Sequence, residues 1–480
     1  MNNSLIQRMH DENFTHVSID LFSGPGGLCT GFKWAGVLPL IAVEWTDTTV
    51  ETYSISHNAE VMHLESYVDD EGVHLDYLNN FMHESTRSLV IHGDINLVDD
   101  YMIRELLFSR YGIDSINETV DIVSGGAPCE SFSMAGTRTV GDERDDLFDN
   151  IIRISRTVNT KAILFENVKG MFSKPNAEGV RGAIFQHICN TFEDQNANPS
   201  YCLVSREQAT ILLKACDYGV PQLRERLFLV SIRSDLVNAG VQFNYPRPTH
   251  GPTTNNPYVT VEDAIADLPL VGLGEEITDY HEPIQYNSDT QRNYIDIMRG
   301  INNVPQMNTI APRHLERVYN ANVISSHKGP GHIERKQALL SIIPINSSMK
   351  EVYKQIEAEN RLDDTIPGFP NYTYKEVFPN TIYGSRNRRL HNEEPSYTVT
   401  SHCLDELLHP TQNRAITPRE AARLQSFPDW YQFSGPYVQF HGDKVQDRYE
   451  QIGDAIPPLL AYAMAREFAR CIPANHPINL

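Results

Sequence analysis

Short apolar runs alternate with helix-like segments through the first half of the chain. The runs lie at residues 17–22, 40–45, 88–95, 121–123, 161–168 and 227–232. Because strands that alternate with helices form parallel βαβ units, this pattern predicts an α/β fold with a doubly wound sheet, whose ligands bind at the carboxyl ends of the strands. Residues 145–155 have helical spacing, and residues 201–216 are typical of a β-hairpin region.

A glycine-rich turn follows the first run. Phe22 ends the run, and Gly24, Gly26 and Gly27 lie in SGPGG before the helix-like LCTGFKWAG. Glycine lets a ligand approach the backbone closely, and amide groups at the start of a helix favour an anionic group. The spacing is not G-x-G-x-x-G, which disfavours a nicotinamide or flavin cofactor. The turn alone leaves the identity of the cofactor open.

Candidate ligand-binding side chains end the next two runs. Glu44 lies twenty residues after Gly24, where a carboxylate can accept both hydroxyls of a ribose. Trp45 offers a flat face for a purine, although it could equally be a core aromatic residue. Asp94, beside Ile95, could accept from the exocyclic amine of an adenine. These residues predict a pocket for an adenosine-like ligand with an anionic end.

A cysteine follows the fourth run in GGAPCESFSMAG, residues 125–136. Two glycines shape the backbone before it and Pro128 stiffens the backbone, so we expect Cys129 to be presented at the carboxyl edge of the sheet. A lone cysteine is more often a small buried hydrophobe. The Gly-Gly-x-Pro-Cys context favours a reactive thiol over that alternative.

A candidate acid lies at the end of the fifth run, and two candidate cations directly precede the sixth run. Residues 161–168 end near Glu166 and Asn167, and DYGVPQLRER, residues 217–226, carries Arg224 and Arg226 in alternation. A carboxylic acid near Cys129 can protonate a reacting ring, and arginine can stabilise a thiolate or bind an anionic ring or a phosphate. The alternative for Glu166 is a structural partner, which is the commoner role of a buried glutamate.

Charge and cysteine content limit the classes of protein. A net charge of −22 argues, taken alone, against a nucleic-acid partner. Residues 60–146 hold 19 acidic and 5 basic side chains, which indicates one solvated acidic flank, whereas basic clusters occur at residues 313–336 and 386–389. The seven cysteines include no Cys-x-x-Cys pair, so we expect neither a disulfide framework nor a metal site.

The chain has no apolar run near the roughly 20 residues that span a bilayer, and MNNSLIQRMHDENF lacks the regions of a signal peptide. We therefore expect a cytoplasmic protein without a membrane partner.

Six blocks, in this order, resemble those of the DNA cytosine-5 methyltransferases: DLFSGPGGLCTGF, GGAPCESFSMAG, ENVKG, DYGVPQLRERLFLV, RAITPREAARLQSFPDWY and QIGDAIPP. The resemblance implies a Rossmann-like domain that uses S-adenosylmethionine. It implies catalytic roles for Pro128, Cys129, Glu166, Asn167, Arg224 and Arg226. It implies cofactor contacts at Phe22, Gly24, Gly26, Gly27, Glu44, Trp45, Asp94, Ile95, Leu147, Asp454 and Ala455.

The resemblance also divides the chain. It implies a catalytic, cofactor-binding domain at residues 1–245, a smaller irregular target-recognition domain at residues 246–386, and C-terminal blocks at residues 387–480 whose final helix packs back on the catalytic domain. Proline, asparagine, threonine and tyrosine become more frequent in the middle region. Residues 58–84 form a polar stretch that we interpret as an insertion relative to compact family members.

Two features of the C-terminal blocks give local predictions. TPREAARL, residues 417–424, has Thr-Pro at a helix start and Glu420 three residues later, which is the pattern of a capping box. Asp454 stands in QIGDAIPP where the family commonly has asparagine. Asp454 could contact the methionine end of the cofactor, or it could be the N-cap of the final helix.

The expected chemistry follows from the reactivity of the cytosine ring. A cytosine C5 is a poor nucleophile until a thiolate adds to C6, and an acid at N3 neutralises the charge that this addition creates. Because C6 is inside the duplex stack, the base must be flipped out. We expect double-stranded DNA as partner, a monomer on the DNA, and a restriction-modification system in which a cognate endonuclease is a further candidate partner.

Three other functions compete with this interpretation. A tRNA cytosine methyltransferase of the same fold would use the same site, but its family has only a short segment in place of residues 246–386. A non-enzymatic DNA-binding relative would have lost the nucleophile or the acid, and both are present. A cysteine hydrolase would need a partner histidine, and no histidine motif stands out.

Overall fold

The computed structural model describes residues 1–69, 72–73, 75–116, 118–127, 147–176, 179–280, 283–301, 322–439 and 444–474. Of the predicted site residues, Pro128 and Cys129 lie outside the described residues.

The strands of the described residues are, in chain order, β1 (His16–Leu21), β2 (Val37–Glu44), β3 (Glu60–His63), β4 (Val68–Asp69), β5 (Gly72–Val73), β6 (Leu89–His92), β7 (Ile122–Gly125), β8 (Ala162–Asn167), β9 (Tyr201–Leu203), β10 (Leu212–Lys214), β11 (Glu225–Arg233), β12 (Thr365–Ile366), β13 (Phe369–Thr373), β14 (Arg388–Arg389) and β15 (Leu407–Leu408). The helices are α1 (Asn3–Asp11), α2 (Gly27–Trp34), α3 (Asp47–His57), α4 (Leu75–Asn79), α5 (Asp100–Tyr111), α6 (Asp149–Thr157), α7 (Ala183–Phe192), α8 (Gln208–Ile211), α9 (Ser234–Asn238), α10 (Val261–Ile265), α11 (Asp289–Met298), α12 (Glu334–Ser341), α13 (Met349–Ala358), α14 (Tyr374–Val377), α15 (Cys403–Glu406), α16 (Pro418–Leu424), α17 (Arg448–Asp454) and α18 (Pro458–Cys471).

One large sheet organises the first half of the chain. Its strands run in the order β10-β11-β8-β7-β1-β2-β6-β3, and β9 also pairs with β11. The six strands from β8 to β3 are parallel, whereas β11 is antiparallel to β8. From β1 the chain goes first to β2 on one side and later to β7 on the other. The crevice between the carboxyl ends of β1 and β7 is therefore a topological switch point, as the predicted doubly wound fold requires.

The alternation of side chains along the parallel strands covers both faces of the sheet. In β8, Leu164 packs into a hydrophobic cluster that includes α2 and α18, whereas Ile163 and Phe165 pack into a second cluster that includes α6 and α7. Strands buried on both faces are nearly continuous apolar runs in the sequence. This is why five of the six parallel strands, and the antiparallel β11, were recognisable as apolar runs without the structure, whereas β3 was not.

The segment after α7 differs from the prediction. β9 and β10 each pair antiparallel with β11, at opposite ends of the same strand, with α8 between them in the chain. The predicted β-hairpin at residues 201–216 is therefore wrong. Both short strands pair with the long β11, whose free edge offers more hydrogen-bonding groups than either could offer the other.

The polar stretch at residues 58–84 contributes to the sheet. It contains β3, which pairs in parallel with β6 and forms the edge of the sheet. The stretch that we interpreted as an insertion therefore supplies one edge strand.

The middle of the chain packs in two places. Val261, Ile265, Tyr294 and Met298, from α10 and α11, belong to the same hydrophobic cluster as α2 and α18. A separate cluster is formed by α12, α13, α14 and neighbouring residues. The domain boundaries at residues 246 and 386 stay a prediction. Among the described residues, the later part of that region supplies most of a separate hydrophobic cluster, to which Leu408 and Ala415 of the C-terminal blocks also belong.

The C-terminal blocks return to the sheet. Thr417 and Glu420 form the predicted capping box at α16: Thr417 N donates to Glu420 Oε2 at 2.8 Å, and Glu420 N donates to Thr417 Oγ1 at 3.1 Å. α18 packs along α2 at Gly31, where a β carbon would overlap the backbone of Pro458 and Tyr462. The last helix is thus held beside the helix that follows the glycine-rich turn.

Candidate active site

The carboxyl ends of five neighbouring parallel strands carry most of the predicted site residues. β1 leads into the turn at Gly24 and Gly26, β2 ends in Glu44, β6 leads to Asp94, β7 leads to Gly126 and Ala127, and β8 ends in Glu166 and Asn167. Because parallel strands share one carboxyl edge, the topology brings these segments together on that edge.

Glu44 joins the first two loops of this edge. Gly24 N donates to Glu44 Oε2 at 2.9 Å, and Thr46 N donates to Glu44 Oε1 at 3.0 Å. Burial raises the pKa of the Glu44 carboxyl above its ordinary value, against the effect of these amide hydrogen bonds. Gly24 has φ +55°, and the space where its β carbon would lie is open. The turn after β1 is therefore held by Glu44 and remains accessible to a ligand.

Trp45 and Asp94 lie at the ends of neighbouring strands. Trp45 is 43% exposed, so the alternative that it is a core aromatic residue is wrong. Lys444 Nζ lies 5.2 Å from the centre of its ring. Asp94 is half-buried and accepts from Asn96 N at 2.9 Å, while Ile95 packs into the hydrophobic core. The exposed ring and the two carboxylates are the chemistry that an adenosine-like ligand requires.

The remaining residues on the cofactor side lie around the same turn. Phe22, with φ +57°, and Leu147 are half-buried and pack on the edge of one hydrophobic cluster. Gly27 lies so close to Ile456 that a β carbon would overlap its carbonyl oxygen. The open turn at Gly24, the Glu44 and Asp94 carboxylates and the exposed Trp45 face fit a nucleoside cofactor such as S-adenosylmethionine.

Glu166 is a buried acid beside an arginine. Its carboxyl is 8% exposed, and Arg226 Nε lies 2.9 Å from Glu166 Oε1. Burial raises the pKa of Glu166, although Arg226 and then Arg224 lower it. A β carbon at Gly126 would lie 2.8 Å from Glu166 Oε2. The carboxyl group is therefore next to the backbone that leads toward residue 129, and only glycine leaves room for it.

Asn167 holds the same stretch of backbone. Its Nδ2 donates to Ala127 O at 3.2 Å, and its Oδ1 accepts from Val168 N at 2.8 Å. Ala127 is the last described residue before Pro128 and Cys129. Asn167 thus fixes the start of the segment that carries the cysteine.

Arg224 connects the sheet to the C-terminal blocks. It is fully buried, and it donates from Nη1 to Val399 O at 2.7 Å and from Nη2 to Gly453 O at 2.9 Å. Its charge still lowers the pKa of Glu166. The sequence predicted the same role for Arg224 and Arg226. In the structure, Arg226 forms an ion pair with Glu166, whereas Arg224 donates to two backbone carbonyls.

Asp454 ends a helix and does not begin one. It is the last residue of α17, and its Oδ2 accepts from Gln446 Nε2 at 3.2 Å. The N-cap of α18 is Pro457, without a side-chain hydrogen bond. The alternative that Asp454 caps the final helix is therefore wrong. The next residue, Ala455, is buried, and its carbonyl accepts from Gln425 Nε2 at 2.9 Å.

Sequence reasoning missed the side chains that lie behind the glycine turn. His57, Thr30 and Tyr431 all contact Pro25 or Gly26. FPDWY was part of a recognised block, but nothing in its sequence indicates which carbonyl the Tyr431 hydroxyl reaches. In the part of the chain that the structure describes, no cluster of three metal-ligating side chains occurs, and no helix combines the length and apolarity needed to cross a bilayer.

Comparisons with known proteins identify the family of the chain. The model of the family described as C-5 cytosine-specific DNA methylase matches residues 76–470. The type II methyltransferase M.DdeI of Desulfomicrobium norvegicum is 29% identical over 461 residues, which cover 94% of this chain and 88% of that protein. M.AgeI, a type II methyltransferase of Thalassovita gelatinovora, is 29% identical over 486 residues, which cover 93% and 98%.

Among solved structures, a DNA modification methyltransferase encoded within a prophage (E. coli) has a similar fold. The TM-score is 0.63 and the sequence identity 21%, over 95% of this chain and 99% of that chain.

Proposed function

Because the chain belongs to the family of C-5 cytosine-specific DNA methylases, it is a DNA cytosine-5 methyltransferase, and we propose that it acts on a flipped-out cytosine through a covalent bond between Cys129 Sγ and C6. The observation that carries this mechanism is the buried Glu166 carboxyl. It lies against Gly126, pairs with Arg226 at 2.9 Å, and has a raised pKa. A carboxyl group of this kind retains its proton more readily and can give it to a ring nitrogen.

The proposed methyl transfer proceeds in successive steps in which Cys129 and Glu166 act on the cytosine ring. The Cys129 thiolate forms a bond to C6, which places a negative charge on the ring. Glu166 neutralises this charge by giving a proton to N3. C5 then becomes nucleophilic and takes a methyl group. Solvent takes the proton from C5, the bond between C6 and Sγ breaks to release the thiolate, and N3 returns its proton to Glu166. S-adenosylmethionine, when bound, supplies the electrophilic methyl group.

The two arginines have different parts in this proposal. Arg226 is close enough to Glu166 to orient its carboxyl and to stabilise negative charge on the ring. Arg224 acts from a distance through its charge, because its donors bind the carbonyls of Val399 and Gly453. Asn167 holds Ala127 and so sets the position from which the chain continues to Pro128 and Cys129.

The cofactor side of the proposal rests on the open turn after β1. Glu44 would accept from the ribose, Asp94 from the adenine amine, and Trp45 would stack on the purine. Asp454 would lie toward the ammonium group, where opposite charges attract. The other residues assigned to this pocket are Phe22, Gly24, Gly26, Gly27, Ile95, Leu147 and Ala455.

Duplex DNA is the substrate that the family implies, and taking the target base out of the stack costs a few kcal/mol. We infer that residues within 246–386 recover this cost by binding the opened duplex and read its sequence. M.DdeI and M.AgeI are named type II methyltransferases, which supports a place in a restriction-modification system with a cognate endonuclease as partner. We expect the enzyme to act as a monomer on DNA.

A suicide substrate tests the covalent step. Duplex DNA synthesised with 5-fluorocytosine at every cytosine should trap the enzyme when S-adenosylmethionine is present, because fluorine does not leave C5 as a proton does. The adduct is measured by denaturing gel electrophoresis. Cys129→Ala should form none, and an adduct of this variant that survives denaturation would refute the assignment. A tRNA made with the same base serves as the competing substrate.

A further inference from the structure

Tyr431 reaches the glycine-rich turn from the far end of the chain. Its side chain is fully buried, and its hydroxyl donates to the carbonyl oxygen of Pro25, 406 positions earlier. Burial raises the pKa of Tyr431 well above its ordinary value, so the hydroxyl keeps its proton and remains a donor. The turn that leads into α2 is therefore held by a residue of the block that follows α16.

His57, the last residue of α3, completes this contact. Its Nε2 lies 3.0 Å from the Tyr431 hydroxyl oxygen and 3.2 Å from the carbonyl oxygen of Gly26. A carbonyl oxygen can only accept, and the Tyr431 proton is already given to Pro25. Nε2 must therefore carry the hydrogen that both oxygens accept. Thr30 Oγ1 also donates to Gly26 O at 2.9 Å.

These contacts fix the direction of the turn. In a planar trans peptide, the carbonyl and the next amide point in opposite directions. Donors that hold the carbonyl of Gly26 on the His57 side therefore direct the Gly27 amide to the other side, at the first turn of α2. Gly26 has φ +96°, and a β carbon there would overlap His57 and lie 2.7 Å from the Tyr431 hydroxyl. The turn, the imidazole and the phenol fit together closely.

We propose that Tyr431 and His57 are positioning residues for the methyl-donor site, so that the C-terminal block sets the affinity of the turn for S-adenosylmethionine. The inference rests on the proposed function of the turn as part of the cofactor pocket. Preorganised amides bind an anionic group without first paying to become ordered. Without the two donors, the turn keeps its hydrogen bonds with Thr30 and Glu44 but loses those that tie it to α3 and to the C-terminal block.

Packing is the competing explanation for Tyr431. Its ring lies 4.8 Å from that of Phe427 and 5.3 Å from that of Phe433, between ring centres, so the residue also fills the core. Tyr431→Phe separates the two roles, because it keeps the ring and removes only the hydroxyl. Tyr201→Phe is a matched control. Tyr201 is equally buried and donates to Ser155 O and Thr160 O at 3.1 Å, at the other end of the sheet.

The decisive measurement is the dissociation constant for S-adenosylmethionine, by titration calorimetry on the full chain. Tyr431→Phe should raise the constant about tenfold, the scale of one lost hydrogen bond, and should raise the KM for the donor more than it lowers kcat. Tyr201→Phe should lower the thermal midpoint by about as much as Tyr431→Phe does, without changing the dissociation constant for S-adenosylmethionine.

His57 provides a second pair of variants. His57→Gln keeps an N–H donor for Gly26 and should retain most of the affinity, whereas His57→Leu removes the donor and should lose it. If Tyr431→Phe and His57→Leu bind the cofactor as the wild type does, the inference is overturned while the proposed function stands. If the wild type itself fails to bind S-adenosylmethionine, both are overturned.

Discussion

At the scale of single residues, the site depends on a carboxyl group that is kept out of water beside a cation. Glu166 is buried, and the desolvation that raises its pKa outweighs the effect of Arg226 and Arg224. The same burial makes the ionised form costly to the folded state. The property on which the proposed proton donation by Glu166 rests therefore lowers stability, as is common for catalytic groups.

Glu166→Gln tests this residue in two ways. The variant should lower the single-turnover rate by roughly 10²-fold, the usual scale of general acid catalysis, with the affinity for S-adenosylmethionine little changed. In the wild type the rate should fall as pH rises through the raised pKa of Glu166, whereas the rate of the variant should not follow that titration. Glu225→Gln, which removes the ion pair between Glu225 at the start of β11 and Lys169, is the control.

The thermal midpoint gives an independent readout. Because the folded-state pKa of Glu166 lies above its ordinary value, folding is favoured by this group below the ordinary pKa, and this contribution is lost as pH rises through the folded-state pKa. Glu166→Gln should therefore be more stable than the wild type above the folded-state pKa and similar to it near pH 4. A wild-type single-turnover rate in the variant would remove Glu166 from the mechanism.

At the scale of elements, the contact of α2 with α18 joins the two ends of the chain. α2 begins at the glycine-rich turn, and α18 follows Asp454 and Ala455, so their packing brings together two separate parts of the proposed cofactor pocket. Gly31 allows the two backbones to approach closely. A glycine within a helix costs roughly 0.5–1 kcal/mol relative to alanine, and here the close contact offsets that cost.

Gly31→Ala should therefore destabilise the protein although alanine is the better helix former. Its β carbon would overlap the Pro458 carbonyl and the Tyr462 amide, which are backbone atoms that can move only with α18. Overpacking of this kind costs about 1–3 kcal/mol, measured as a lower free energy of unfolding in urea. Gly331→Ala, where no atom lies within 4 Å of the added carbon, is the control. An unchanged stability of Gly31→Ala would show that α18 does not constrain α2.

At the scale of the whole molecule, the middle of the chain serves two purposes. α10 and α11 pack with α16 and α18 in the core of the catalytic half, whereas α12, α13 and α14 enclose a separate cluster. We predicted that residues 246–386 choose the target sequence. Because α12, α13 and α14 lie outside the cluster around α2 and α18 and meet the C-terminal blocks at Leu408 and Ala415, we expect an exchange of this later part to leave the core around the large sheet intact.

An exchange of residues 334–386 for the matching segment of a family member with another specificity should transfer the donor's target site. Bisulfite sequencing of host DNA measures the methylation pattern. The control is an exchange of residues 259–298, which should keep the original pattern wherever the chimera is active. An active 334–386 chimera that keeps the original pattern would show that the choice of sequence lies elsewhere.

The sequence by itself determined the features that depend on neighbouring residues. Apolar runs buried on both faces predicted five of the six parallel strands and the antiparallel β11. Thr417 with Glu420 predicted the capping box. Both patterns are local, whereas β3 lies in a polar stretch and was not predicted. The sequence also predicted which residues lie at the carboxyl edge of the sheet, because each of them stands at the end of an apolar run. The blocks shared with the methyltransferase family indicated the chemistry.

Only the tertiary structure decided which distant groups meet. β9 and β10 each pair with β11 and not with each other. Arg224 donates to the carbonyls of Val399 and Gly453, and the Tyr431 hydroxyl donates to the carbonyl of Pro25. Such contacts leave no periodic pattern, because they depend on how packed elements bring buried donors to particular carbonyl oxygens. A buried donor must find an acceptor, but the sequence does not say which one, since that choice is made by the whole fold.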